Sequence, residues 1–301
     1  MVDYAELFKI ENPIERISKT TSMPVWIIEE LLKDKDYNIN NVRKICGNLV
    51  QRPNITIRRN NLKINKEEFE KQLKERNINF TEIEENKFYI VEKIKNIENL
   101  DMFQKGYFTV QDLSAGMSAY MLEPKENEYI LDACSAPGGK TTYIAELMNN
   151  KGKILAWDLY EARTNLIKEN AQRLGINIIN TETNDATKYK AEYNEKFDKI
   201  LLDVPCMGIG VIKRKPDIKW HRKPEDLKVI SKVQYEILEN CSKYVKKGGT
   251  IIYSTCSILE KENHGIIQKF LEKNPIYTTT EIKIEPTEKQ DGFYIAKLIK
   301  K

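Results

Sequence analysis

From Glu128 onward the chain alternates short apolar runs with helical periodicities, and this alternation restricts the fold more than any other feature. Glu128–Cys134 (EYILDAC), Lys153–Leu159, Ile176–Thr183, Phe197–Val204 and Thr250–Cys256 read as strands. Lys140–Met148, Glu161–Leu174, Pro224–Val245 and Leu259–Lys273 read as helices. Strands separated by helices pack as a parallel sheet with right-handed crossovers. Thr278–Ile284 and Phe293–Ile299, joined by a turn at Asp291–Gly292, are expected to add an antiparallel edge.

Upstream the pattern changes. Residues 1 to about 50 read as helical, 54–64 as a strand and turn, and 65–77 as a helix capped by Asn65. Ile83 and Phe88–Val91 follow as short strands. A length of 301 residues suits two domains, at about 150 residues each. The expected division is 1–105, a helical and small α/β unit, and 106–301, the doubly wound unit.

Composition excludes several classes. No apolar run approaches the roughly 18 residues of a membrane span. Met1–Pro13 carries charges throughout, without the apolar core of a signal peptide. The five cysteines (46, 134, 206, 241, 256) form no CxxC pair, and there are only two histidines. That argues against zinc and iron–sulfur sites, so no metal is expected. An odd thiol count argues against a secreted disulfide framework, and the chain reads as cytoplasmic and reduced. The net charge of +4 leaves nucleic-acid binding to local patches.

In a doubly wound sheet the ligand sits at the carboxyl ends of the strands. The first strand here runs into Cys134-Ser135-Ala136-Pro137-Gly138-Gly139-Lys140. This segment lacks the GxGxxG of dinucleotide sites. It also lacks the leading glycine of a P-loop, where Cys134 stands instead. A pocket for S-adenosylmethionine needs close backbone approach but no polyphosphate cradle. Asp158 ends the second strand, where a carboxylate can bind ribose hydroxyls, and Asp185 follows the third. Taken alone, either acid would serve as a helix cap. Asp203-Val204-Pro205-Cys206 and Ser254-Thr255-Cys256 place two thiols at neighbouring strand tips beside an acid. On residue physics alone, either cysteine could be the nucleophile.

The segments DACSAPGGKT, DVPCMGIGVIKRKPDIKW, YSTCSI and GYFTVQDLSA (106–115) resemble the signature motifs of the Sun/Fmu family of RNA cytosine-5 methyltransferases. The resemblance covers about residues 10–301, and SKTTSMPVW (18–26) and RPNITIRRN (52–60) are similar to the family's ribosomal branch. It implies a Rossmann-like SAM-dependent methyltransferase fold with a smaller N-terminal α/β domain. It further implies Cys256 as nucleophile, Cys206 as the thiol that assists adduct breakdown, and Asp203 as a contact to the base. Cys134 to Lys140, Asp158, Asp185 and Asp203 would hold S-adenosyl-L-methionine, with Arg163 fixing one wall or simply solvated. The implied substrate is ribosomal RNA and the expected state a monomer. Transfer RNA, or RNA binding without turnover in an assembly factor, are the alternatives. Ribosomal members carry a NusB-type helical domain in front, and the sequence given starts after that point; truncation and a different RNA target are both expectations consistent with this.

Two basic segments are the expected RNA surface. One holds Lys213, Arg214, Lys215, Lys219 and Arg222 around Trp220 and His221, with Asp217 its one acid. The other holds Arg52, Arg58 and Arg59 with no acid nearby in sequence.

Overall fold

A computed structural model describes residues 10–83, 87–92, 94 and 96–301. The first nine residues, part of the expected helical and leaderless start, lie outside this set. The described chain begins with helices α1 (Pro13–Thr21), α2 (Val25–Leu31) and α3 (Ile39–Leu49). Asn12 and Asn38 cap α1 and α3 by accepting hydrogen bonds from backbone N–H groups that have no partner within the helix.

The small α/β unit then runs β1 (Ile55–Arg59), α4 (Lys66–Glu75), β2 (Phe80–Ile83), β3 (Phe88–Val91), α5 (Asp101–Gln104) and β4 (Phe108–Val110). Its antiparallel sheet has the order β2-β3-β1-β4. The last strand lies beyond the boundary expected at residue 105, because Phe108–Val110 pairs with Ile57–Arg59. Three residues are too few for a periodic signal, so only the pairing reveals the strand.

The large unit contains α6 (Leu113–Met121), β5 (Tyr129–Asp132), α7 (Gly139–Leu147), β6 (Lys153–Asp158), α8 (Glu161–Leu174), β7 (Ile179–Thr183) and β8 (Phe197–Asp203). It continues with α9 (Ile218–His221), α10 (Pro224–Cys241), β9 (Val245–Thr255), α11 (His264–Lys273), β10 (Tyr277–Ile284) and β11 (Phe293–Lys300). The sheet order is β10-β11-β9-β8-β5-β6-β7. β5 to β9 are parallel, and β11 enters antiparallel between β9 and β10. Two expected helices are shorter in the structure. α10 stops at Cys241 because Val245 already pairs with Phe197 as strand. The segment after Leu259 makes a 3-10 turn at Glu260–Glu262 before α11 starts.

Strands buried on both faces explain the near-continuous apolar runs. One face packs Leu131, Trp157, Leu202 and Ile251 against α10 and α11; the other packs Ile130, Leu201 and Ile252 against α6 and α7. A third cluster joins α1–α3 to Met207, Ile209, Ile212, Ile258 and Leu259. The N-terminal helices therefore pack on the two loops that leave β8 and β9.

Candidate active site

The chain leaves β5 toward β6 on one side and reaches β8 and β9 on the other, so the strand order reverses at β5–β8. Such a reversal opens a crevice beyond the strand ends. Asp203 lies opposite Ser254 in the β8–β9 register, so the residues that follow emerge side by side. Cys206 Sγ and Cys256 Sγ come to 3.0 Å. The hydrogen bond with Cys256, followed by burial, pushes the Cys206 thiol well above its ordinary range.

Both loops are braced from beneath. Buried Glu262 accepts hydrogen bonds from the Met207 N–H (2.8 Å), the Gln234 amide (3.0 Å) and the Ser257 hydroxyl. The Gly210 N–H donates to the Cys256 carbonyl at 3.0 Å, and the Gly292 N–H donates to the Gly210 carbonyl at 2.9 Å. A Cβ on Gly210 would lie 2.1 Å from the Gly292 carbonyl oxygen, so this crossing admits only glycine. Arg222 donates to the Cys206 carbonyl at 3.2 Å.

Asp203 accepts from the Lys140 ammonium at 2.6 Å and from the Ser254 hydroxyl at 3.0 Å. Burial acts to lower Lys140, but attraction to Asp203 outweighs it. Lys140 closes the expected cofactor loop, and its ammonium reaches the acid of the thiol crevice. The sequence carried no signal for this, because the pair spans 63 positions.

The loop after β5 is held by its neighbour strand. Ser135 donates through its N–H and its hydroxyl to the Trp157 carbonyl, and the Ala136 N–H donates to Asp158 at 3.2 Å. Arg163 lies 3.3 Å from Asp158 and donates to the Ala136 carbonyl at 3.1 Å, so it ties the loop to the β6 tip. Gly138 takes φ +100°, and a Cβ there would sit 3.2 Å from Ile167. Asp185 accepts from its own neighbour Thr187 in a local turn, whereas the buried Asn184 amide beside it has no hydrogen-bond partner. Asp132 is fully buried, and burial raises its carboxyl to about 7; Thr141 donates to one oxygen while the other is unpartnered. Cys134 is pushed well up by burial. Cys46 and Cys241 are buried in the apolar clusters.

The basic segments need correction. Arg58 is fully buried and pairs with Glu146 at 2.7 Å; it also donates to Gln111, Thr142 and the Gly139 carbonyl. Arg59 is buried and donates to the Ile64 carbonyl at 2.6 Å. Lys213 is buried against Asp291 at 3.3 Å. Arg214 bridges Asp112 (2.8 Å) and Asp291 (2.5 Å). Arg58, Lys213 and Arg214 are paired with acids distant in sequence and Arg59 with a backbone carbonyl, so these four cations are engaged within the protein rather than free on an RNA surface. Arg52 and Lys215 are exposed, and Lys219 and Arg222 half-buried. Among the described residues, no group of three or more His, Cys, Asp or Glu side chains could hold a metal. A groove of about 770 Å³ between α10 and α11 is lined by neither thiol and by neither Asp158 nor Asp203.

A mixed sheet of this order, with a glycine turn after its central strand and a carboxylate at the tip of the next, is the Rossmann-like fold of S-adenosylmethionine-dependent methyltransferases. The model of the family described as 16S rRNA methyltransferase RsmB/F matches residues 119–299, and the RsmF/B-like ferredoxin-like domain matches residues 23–90. The chain belongs to this RsmB/F family. It is 41% identical over 270 residues to a probable ribosomal RNA small subunit methyltransferase B of Bacillus subtilis, covering 88% of this chain and 59% of that protein. It is 33% identical to the ribosomal RNA small subunit methyltransferase B of Shewanella oneidensis, covering 98% and 70%. The crystal structure of a methyltransferase homolog from Pyrococcus horikoshii matches with a TM-score of 0.84 at 25% identity, covering 97% of this chain and all of that one.

Proposed function

We propose that the protein transfers a methyl group from S-adenosyl-L-methionine to C5 of a cytosine in 16S ribosomal RNA, through a covalent bond between Cys256 and C6 of the base. The observation that carries this reading is the 3.0 Å approach of two thiols at adjacent strand tips beside an acid–ammonium pair. The residues around the glycine turn suit the cofactor. Asp132 Oδ1 and the Asn184 amide are buried polar atoms awaiting a partner, and Asp158 sits at the β6 tip. When bound, S-adenosylmethionine supplies an electrophilic methyl on a sulfonium.

C5 of cytosine is a weak nucleophile. Addition of the Cys256 thiolate to C6 moves the C5–C6 π pair to C5, which then carries the nucleophilic electrons. Lys140 is held cationic by Asp203 beside the thiol crevice. Asp203 keeps a free lone pair on each oxygen for the amino edge of the base. Once C5 is methylated, its proton passes to solvent and the C5–H pair re-forms the C5–C6 double bond, while the sulfur–C6 bond breaks with its electrons leaving on the Cys256 sulfur. Cys206, whose thiol keeps its proton at neutral pH, donates to the departing sulfur.

The test is methyl transfer from tritiated S-adenosylmethionine to 16S ribosomal RNA, with bisulfite sequencing of the product. The expected product is one protected cytosine. Label without bisulfite protection would refute the C5 chemistry.

A further inference from the structure

Trp220 is 68% exposed, more than any other large apolar side chain among the described residues. Trp157 is buried, and Trp26 packs on the helical cluster. An indole left in water gives up a large apolar contact area that a ligand could cover.

The mount beneath this ring is fixed. Ile218, at the start of α9, packs into the cluster formed by α1–α3, and a Cβ on Gly208 would come within 2.9 Å of it. At the other end Arg222 donates to the Cys206 carbonyl. The indole is thus carried by a short helix pinned at both ends to the loop that bears Cys206. Its surroundings are cationic. The Lys219 ammonium lies 5.7 Å from the ring centroid, and Lys215 and Lys223 are exposed. Of the acids nearby, Asp226 is engaged by the Lys223 N–H at 2.9 Å, and Asp217 and Glu225 are exposed. An exposed π-face among cations selects a polyanion with flat bases, which is single-stranded nucleic acid.

We propose that Trp220 is a stacking platform for an unpaired base flanking the target cytosine. This rests on the RNA reading above, since a cytosine attacked at C6 must be unstacked and its neighbours splayed.

The test measures binding of a labelled single-stranded oligocytidylate of about 12 nucleotides to wild type, Trp220→Ala and Trp220→Phe. S-adenosylmethionine calorimetry and methyl transfer to 16S ribosomal RNA are run in parallel. Trp220→Ala is expected to bind the oligonucleotide about 5- to 100-fold more weakly. Trp220→Phe should retain most of the affinity, with cofactor binding and melting temperature unchanged in both. Binding of Trp220→Ala within about twofold of wild type, or an equal loss in Trp220→Phe, would overturn the platform. Wild-type protein that binds the oligonucleotide but transfers no methyl would sink the methyltransferase reading separately, because the binding comparison does not depend on turnover.

Discussion

Residues 52–59 and 213–222 look interchangeable as sequence, each a short basic stretch, yet the fold uses them differently. In the first, Arg58 crosses from the small sheet into the large unit and meets Glu146 on α7, where both side chains are fully buried. In the second, Lys213 and Arg214 turn inward to Asp291, while Lys215 stays in solvent beside α9. A basic run therefore reports surface charge only where no acid from a distant element arrives to claim it. Arg58 also donates to the Gly139 carbonyl at 3.1 Å, so the small sheet touches the helix start that follows the glycine turn.

The largest effect that separates the two segments is on stability. Arg58→Met should destabilise the protein by about 3–5 kcal/mol, because it leaves a buried carboxylate unpaired. Urea titration would show it. Burial pushes Glu146 up and Arg58 opposes that push. Without Arg58 the folded-state value climbs further above the unfolded 4.5. Stability of the variant then falls as pH rises through the interval between the two, so its gap to wild type is smallest in acid and largest near neutrality. A gap that does not vary with pH would break the assignment of Arg58 as Glu146's counter-ion.

A middling effect is expected where the second segment turns inward. Arg214→Ala removes two ion pairs from a half-buried site and should cost about 1–3 kcal/mol. The loss of the brace on Asp291–Gly292, which reaches the Cys256 carbonyl through Gly210, should lower kcat more than it raises KM for RNA. An unchanged kcat would separate the brace from the thiols.

The smallest effects are expected at the exposed end. Lys215→Ala and Lys219→Ala should leave the melting temperature unaltered and each reduce the slope of log affinity against log salt by about 1. If Arg58→Met, measured where it is still folded, gave the same slope change, the contrast between the segments would collapse.

The sheet was legible because buried parallel strands need unbroken apolar runs, and helices of 9 to 18 residues impose their period on the sequence. The positions of Cys206, Cys256 and Asp203 followed from strand tips alone. What could not be read were partnerships across distance. Arg58 and Glu146 are 88 positions apart, and Arg214 and Asp112 are 102 apart. Glu262 sits in a stretch of lysine and glutamate, yet it is buried and braces both thiol loops. No local pattern announces such a residue, because its role depends on which loop folds over it. Asp185, just after a strand, accepts hydrogen bonds from Thr187 through one carboxylate oxygen, a local turn that its position alone does not announce.

The central claim is that the paired thiols have unequal roles, and a denaturing gel tests it most directly. Wild-type protein, Cys206→Ala and Cys256→Ala are incubated with 16S ribosomal RNA and S-adenosylmethionine, then resolved under conditions that preserve covalent bonds. Cys206→Ala should accumulate a protein–RNA band, because the adduct forms but lacks the proton donor for its breakdown, and Cys256→Ala should show neither band nor methyl transfer. A band that persists in Cys256→Ala and is absent from Cys206→Ala would contradict the account.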